Sequence, residues 1–243
     1  MDIHKPHAAK SWREFAVEIG TIVVGILIAL GLEQVVEAAR ERHATDEARA
    51  AVRGEIAADL GFMQMRAEEQ GCVDRRLAEV AAILAAARDG KPYPVPQWIG
   101  RAANQPVSSR RWGAASNSGR ASLFPSEEQA RYATVYFTIE RFVVAEDAEM
   151  DAWAVVRTAE GVKSMPPAMV WGLTEALARA RQANYIAKRA AARTFEEAGR
   201  LGIRPAAPRI SAALELKTAP LCVPIDADRA TALKLIANPT GEP

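Results

Sequence analysis

The groups able to do chemistry in this chain fall in three places. Arg110-Arg111-Trp112, inside an irregular stretch, joins two guanidinium groups to an indole. Charge and stacking together suit a phosphate, a lipid headgroup or a glycan. The same residues equally suit a structural role, with Trp112 closing one end of a core and the arginines in water. His4 and His7 stand three apart, a metal-binding spacing on a helix, but Pro6 lies between them and no third ligand accompanies them. A solvated tail is the expectation there. Cys72 and Cys222 are the only cysteines. On the oxidising side of a membrane they pair and close a loop of about 150 residues, worth several kcal/mol in the chain-entropy model; in a reducing compartment they are two small apolar residues.

Motifs for catalysis are absent. There is no glycine-rich phosphate loop, His-Glu-x-x-His, paired-cysteine zinc spacing or Gly-x-Ser-x-Gly elbow. Three histidines leave little general-base capacity, and His43 reads as a surface residue. Glu146/Asp147 and Glu196/Glu197 are neighbours in sequence and so do not face each other on a helix. No Glu-x-x-His exists for a di-iron site. The expectation is a protein without catalytic residues, cofactor or metal, hence not an enzyme. A net charge of +1 points to no nucleic-acid partner.

What must position these groups begins with Ile19 to Leu32, a run of 14 residues without a charge. At ~1.5 Å per residue it reaches roughly 21 Å, short of a ~30 Å hydrocarbon core. The flanks extend it: Phe15 to Val36 is 22 residues, about 33 Å, interrupted only by Glu18 and Glu33-Gln34. Trp12 and Phe15 suit one interface, and Lys10 and Arg13 can snorkel. Glu14 and Glu18 argue against a cleaved leader, as does a helical pattern that continues after Leu32. The expectation is an uncleaved transmembrane anchor over 15–36 behind a short tail, 1–14. Thr21, Gly25 and Ala29 recur every four residues, and Glu18 shares their face, giving a stripe for a membrane-protein partner or a second copy of the chain. Positive charge is balanced across the anchor; the distal cysteines favour a cytoplasmic N-terminus and an exported C-terminal body.

Abundant alanine and only 6% aromatic residues read as helical. A long stalk or bundle helix is expected over 37–91, with one apolar stripe at Ile56, Leu60, Met63 and Ala67 and another at Val73, Leu77, Val80 and Leu84. Glu68, Glu69, Arg75 and Arg76 are assigned to the solvated face. Asp89-Gly90 ends the helix, and an irregular loop with a short helix fills 92–124. Two long helices occupy 125–204, the first N-capped by Ser126, the second beginning at Pro166-Pro167 and stopped by Gly199 and Gly202. Residues 205–243 form a proline-rich tail with a short helix near Ala227 to Ile236. The fold class is all-α: a transmembrane helix continuing into an antiparallel helical bundle.

The run Arg13-Glu14-Phe15, then Glu18 through Leu30, then Glu33-Gln34, resembles the anchor of a group of uncharacterised bacterial single-span membrane proteins. The resemblance covers some 25 residues and implies a bacterial inner-membrane location with a helical extramembrane domain; it lends no activity. The functional expectation is a membrane-anchored structural or accessory subunit of an envelope complex, partnered by the lipid bilayer and a membrane protein. The alternative is a ligand-sensing or binding module that signals through a membrane partner.

Overall fold

The structure is a computed structural model describing residues 12–102, 106–206 and 221–237. His4 and His7 lie outside the described residues. Of the described residues 79% are helical, and none lies in a strand. The helices are α1 (Trp12–Glu68), α2 (Gln70–Arg88), α3 (Arg110–Asn117), α4 (Ser126–Val156), α5 (Pro167–Arg200) and α6 (Arg229–Ala237). Two compact units divide at Ala48/Arg49.

In the first unit, an 18-residue window of α1 has a mean hydropathy of 2.4 and none of it is buried. It is the one described helix long and apolar enough to cross a membrane. Ile22, Ile26, Leu27 and Leu30 are all at least half exposed.

In the second unit, the helix expected over 37–91 is interrupted at Glu69. The amide of Val73 keeps its bond to the Glu69 carbonyl, but the Cys72 amide reaches the same oxygen at 2.9 Å, one tightened turn beside Gly71. Cross-chain contacts then fix directions. Thr194 Oγ1 donates to Thr138 Oγ1 at 2.8 Å, and Arg131 pairs with Glu197 at 3.8 Å, so α4 and α5 run antiparallel. Tyr136 meets Glu55 while Arg66 meets Glu149, so the last turns of α1 run parallel to α4. Ala176, Ala180, Ala183 and Ala187 are buried along α5, and their small side chains let α4 come close.

Helix ends follow the local chemistry. Gly90 and Gly202 have φ of 65° and 67°, a conformation costly for other residues. Beyond them, Lys91 N–H bonds to the Ala86 carbonyl at 2.9 Å and Ile203 N–H to that of Ala198 at 3.0 Å, closing each helix with a Schellman turn. Pro167 opens α5, where a missing amide hydrogen costs nothing. Ser126 is not the N-cap of α4: Pro125 holds that position in extended geometry and Ser126 is the first helical residue. Gly61 does not weaken α1. A Cβ there would stand 2.6 Å from the Ala206 carbonyl oxygen, and the Ala206 amide bonds to the Ala57 carbonyl at 2.7 Å, so the glycine admits a crossing backbone.

The apolar core joins Val73, Leu77, Val80 and Leu84 of α2 to Trp153 and Val156 of α4 and Leu173 and Leu177 of α5, with Leu221 of the tail inserted among them. Cys72 and Cys222 are bonded, their Cα atoms 4.9 Å apart. One turn along α2, Arg76 is fully buried. Its guanidinium donates to the carbonyls of Trp98 at 2.8 Å, Ile99, Leu221 at 3.4 Å and Val223, and pairs with Glu79 at 2.8 Å. Arg76 and Glu69, buried alike, therefore leave the solvated face to which the sequence pattern assigns them. Ala67 is exposed and Arg66 buried in its place, because the face that packs drifts by one residue past Met63.

Arg76→Met would strand these carbonyls and Glu79, lowering stability by about 3–5 kcal/mol. Arg88→Met, on the exposed pair with Asp89, should change it by less than about 1 kcal/mol. Urea unfolding of full-length protein in mild detergent measures both. Thiol labelling of the unreduced, denatured chain should find neither cysteine reactive; two free thiols would remove the disulfide from the account.

Candidate functional site

Arg110, Arg111 and Trp112 form the first turn of α3, and that turn is held from α1. Glu55 and Asp59 lie four residues apart, one above the other on the helix. The Arg111 amide donates to both Glu55 oxygens at 3.0 and 3.1 Å, the Ser108 hydroxyl donates to Glu55 at 3.0 Å, and the Ser108 amide donates to Asp59 Oδ1 at 3.1 Å. Glu55 of another helix thus satisfies the Arg111 amide of α3 and Asp59 the Ser108 amide just before it, while the N-cap Ser109 makes no side-chain bond. Trp112 stacks on Tyr136 with centroids 5.6 Å apart and rings inclined by 11°, and reaches Tyr132 at 5.8 Å. Phe124 meets Tyr132 edge-on, and Arg49 lies over Phe124 while pairing with Glu128. Trp112 is therefore the half-buried cover of an aromatic cluster, and the Arg110 and Arg111 side chains extend into solvent.

Burial dominates the electrostatics here. Asp59 is 2% exposed, and its carboxyl is pushed up to about 7 by desolvation, against the pull of the Ser108 amide and with the added push of Glu55. Its Oδ2 is buried with no hydrogen-bond partner among the described residues, so the proton of the neutral form belongs there. Tyr136 donates its hydroxyl to Glu55 at 2.8 Å; burial and then that carboxylate raise its pKa. Tyr132 is raised likewise, by burial first, and donates to Glu128 at 2.9 Å. Asp59 is tuned to exchange a proton near neutrality, but it is closed to a substrate.

A second polar cluster sits where α1, α4 and α5 meet. Arg66 Nη2 donates to Glu149 at 2.9 and 3.2 Å and to Asn184 Oδ1 at 3.1 Å, and Trp153 Nε1 donates to Glu149 at 3.4 Å. Arg66 and Glu149 are 4% and 1% exposed at their side chains. Among the described residues, no group of three or more His, Cys, Asp or Glu is disposed to hold a metal ion.

No family model, curated protein or solved structure matches this chain. The candidate residues are thus weighed on geometry alone. Glu18, Thr21, Gly25 and Ala29 are exposed on α1; Thr21 donates its hydroxyl to the Val17 carbonyl at 2.9 Å, and the space beside Gly25 is open. Cys72 and Cys222 are brought together. Asp59, Arg66 and Glu149 are missing from the sequence reading, and Arg76 stands there as a solvated residue, although register carries a signal: Glu149 is seven residues beyond Phe142 and four before Trp153, on the buried stripe of α4.

Between about pH 4 and pH 7 the folded protein keeps a proton on Asp59 that the unfolded chain has released. Stability from this group is complete below about pH 4 and is lost as pH rises to about 7. Asp59→Asn should remove that part of the slope, making the variant more stable than the parent at pH 8 by on the order of 2–4 kcal/mol, with the gap closing towards pH 4. Urea midpoints of full-length protein across pH 4–8 test it; parallel curves for the two proteins would refute the assignment.

Proposed function

We propose that this chain is a membrane-anchored structural or accessory subunit of a bacterial envelope complex. Residues 15–36 hold it in the inner membrane, with the N-terminus cytoplasmic and the larger unit periplasmic. The observation that carries this reading is the α1 window of mean hydropathy 2.4, which none of the described residues buries. Apolar surface gains about 25 cal/mol per Å² when withdrawn from water, and lipid is the cover that a helix of this length and composition fits. The Cys72–Cys222 bond supports an oxidising location for the larger unit. The resemblance of residues 13–34 to anchors of bacterial single-span proteins supports the choice of membrane.

The buried ionic groups of the larger unit engage the chain's own atoms, which suits a part that holds shape. A partner in the membrane approaches along Thr21, Gly25 and Ala29, where small side chains allow close backbone contact, and Glu18 at the hydrocarbon edge adds a group that calls for a partner or water.

Gly25→Leu should abolish cross-linking to a second copy or co-purification of a membrane partner in mild detergent, while Ile26→Leu on another face leaves both intact. Unchanged association in Gly25→Leu would reduce the stripe to lipid-facing composition. An alkaline phosphatase fused after Pro243 should be active; an inactive fusion reverses the orientation.

A further inference from the structure

A cavity of about 340 Å³ opens beside the Arg66–Glu149 pair, between the end of α1, the start of α2, and the faces of α4 and α5. Its walls are polar at one end and apolar at the other, for a reason of register. Asn184, Lys188, Ala191 and Phe195 follow one i, i+4, i+7, i+11 stripe of α5. The end of α1 runs antiparallel to α5, so Arg66 and Gln70 face the Asn184 end while Met63 faces the Ala191 end, where Phe142 of α4 adds an aromatic wall. Ala191 and Phe195 are half-buried although they continue the core face of α5, which leaves that apolar surface to the cavity.

The polar end presents Asn184 and Lys188, with Arg66 behind them donating to Gln70 Oε1 at 3.4 Å. Arg66 Nε is buried with no hydrogen-bond partner among the described residues. Asn184 is 5% exposed and its Oδ1 is taken by Arg66, which leaves its amide hydrogens as the group it can offer. Glu149 neutralises Arg66, and no carboxylate lines the cavity, so Lys188 at the mouth supplies one uncompensated positive charge. The volume falls in the range of about 300–1,000 Å³ typical of small-molecule sites. The geometry points to a binding site for a small monoanion with an apolar body, an aromatic or short aliphatic monocarboxylate. The carboxylate lies between Asn184 and Lys188 above Arg66, and the apolar body lies between Met63, Phe142 and Phe195. The site is contained in the Arg49–Pro243 unit, so it stands or falls independently of the anchor reading.

The probe is 2-naphthoate, added to full-length protein with ¹³C-methyl methionine in lipid nanodiscs. The Met63 methyl, assigned with Met63→Leu, should shift with saturation as the naphthalene ring passes over it. Ala191→Phe should abolish the shift by filling the apolar end. Lys188→Met, at an exposed position, should weaken binding about fivefold, and 2-naphthalenemethanol should bind the parent weakly and the Lys188→Met protein as well as naphthoate does. A Met63 methyl that does not move, a shift that survives Ala191→Phe, or an alcohol bound as tightly as the carboxylate by the parent overturns the proposal. Unchanged circular dichroism in both variants establishes that lost binding is not lost fold.

Discussion

Arg76 is the constraint on which much of the larger unit depends. A guanidinium withdrawn from water tolerates no empty donors, and irregular segments tolerate no buried carbonyls without them. Residues 98–99 and 221–223 have neither a helix nor a sheet to satisfy their carbonyls. Arg76 serves both, and Glu79 answers its charge. Burial pulls its pKa down, and Glu79 opposes that pull. The Gln97 and Trp98 amides then bond to the Ile225 carbonyl at 2.9 and 3.0 Å, and Glu160 accepts the Ile99 amide at 2.9 Å, so loop and tail are laid against one another from a single point on α2.

The Arg66–Glu149 pair acts differently. It joins three helices side by side with nothing irregular between them, and its value lies in register. An apolar interface built largely from alanine on α5 could slide by a turn at modest cost, because one small side chain resembles the next. A buried ion pair admits one alignment, since a shift would leave a charge without its partner. The cavity beside the pair is a by-product of the same choice, because short side chains near Ala187 and Ala191 leave volume that the longer Arg66 and Phe142 do not fill.

Helix ends and covalent pairing were legible in the chain. Pro166-Pro167 fixes φ locally, and Gly90 and Gly202 take the positive φ that ends a helix at little cost, so neither signal needs tertiary context. The two cysteines allowed only one intramolecular pairing. Buried charge was not legible, since an amphipathic pattern is read on the premise that charged residues face water. Arg66, Arg76 and Glu149 violate that premise wherever a partner from a distant segment meets them, and those partners, Asn184 and Val223 among them, lie on other elements. Trp112 was legible as two alternatives; only the position of Tyr136, some two dozen residues further on, shows the indole covering a core. Gly61 is a similar case: flexibility is the local meaning of glycine, and the crossing of residue 206 is a tertiary fact.

The Cys72–Cys222 bond has a mechanical consequence. Residues from Val73 to Leu221 form a covalent ring, with α1 leaving from one side of the bond and α6 from the other. Tension applied between the two chain ends passes from Cys72 to Cys222 through the sulfur atoms, so α3, α4 and α5 lie outside the line of force. Only α1 and the last turns of the chain can be drawn out, and the contour length available to a pull is that of the segments beyond the ring.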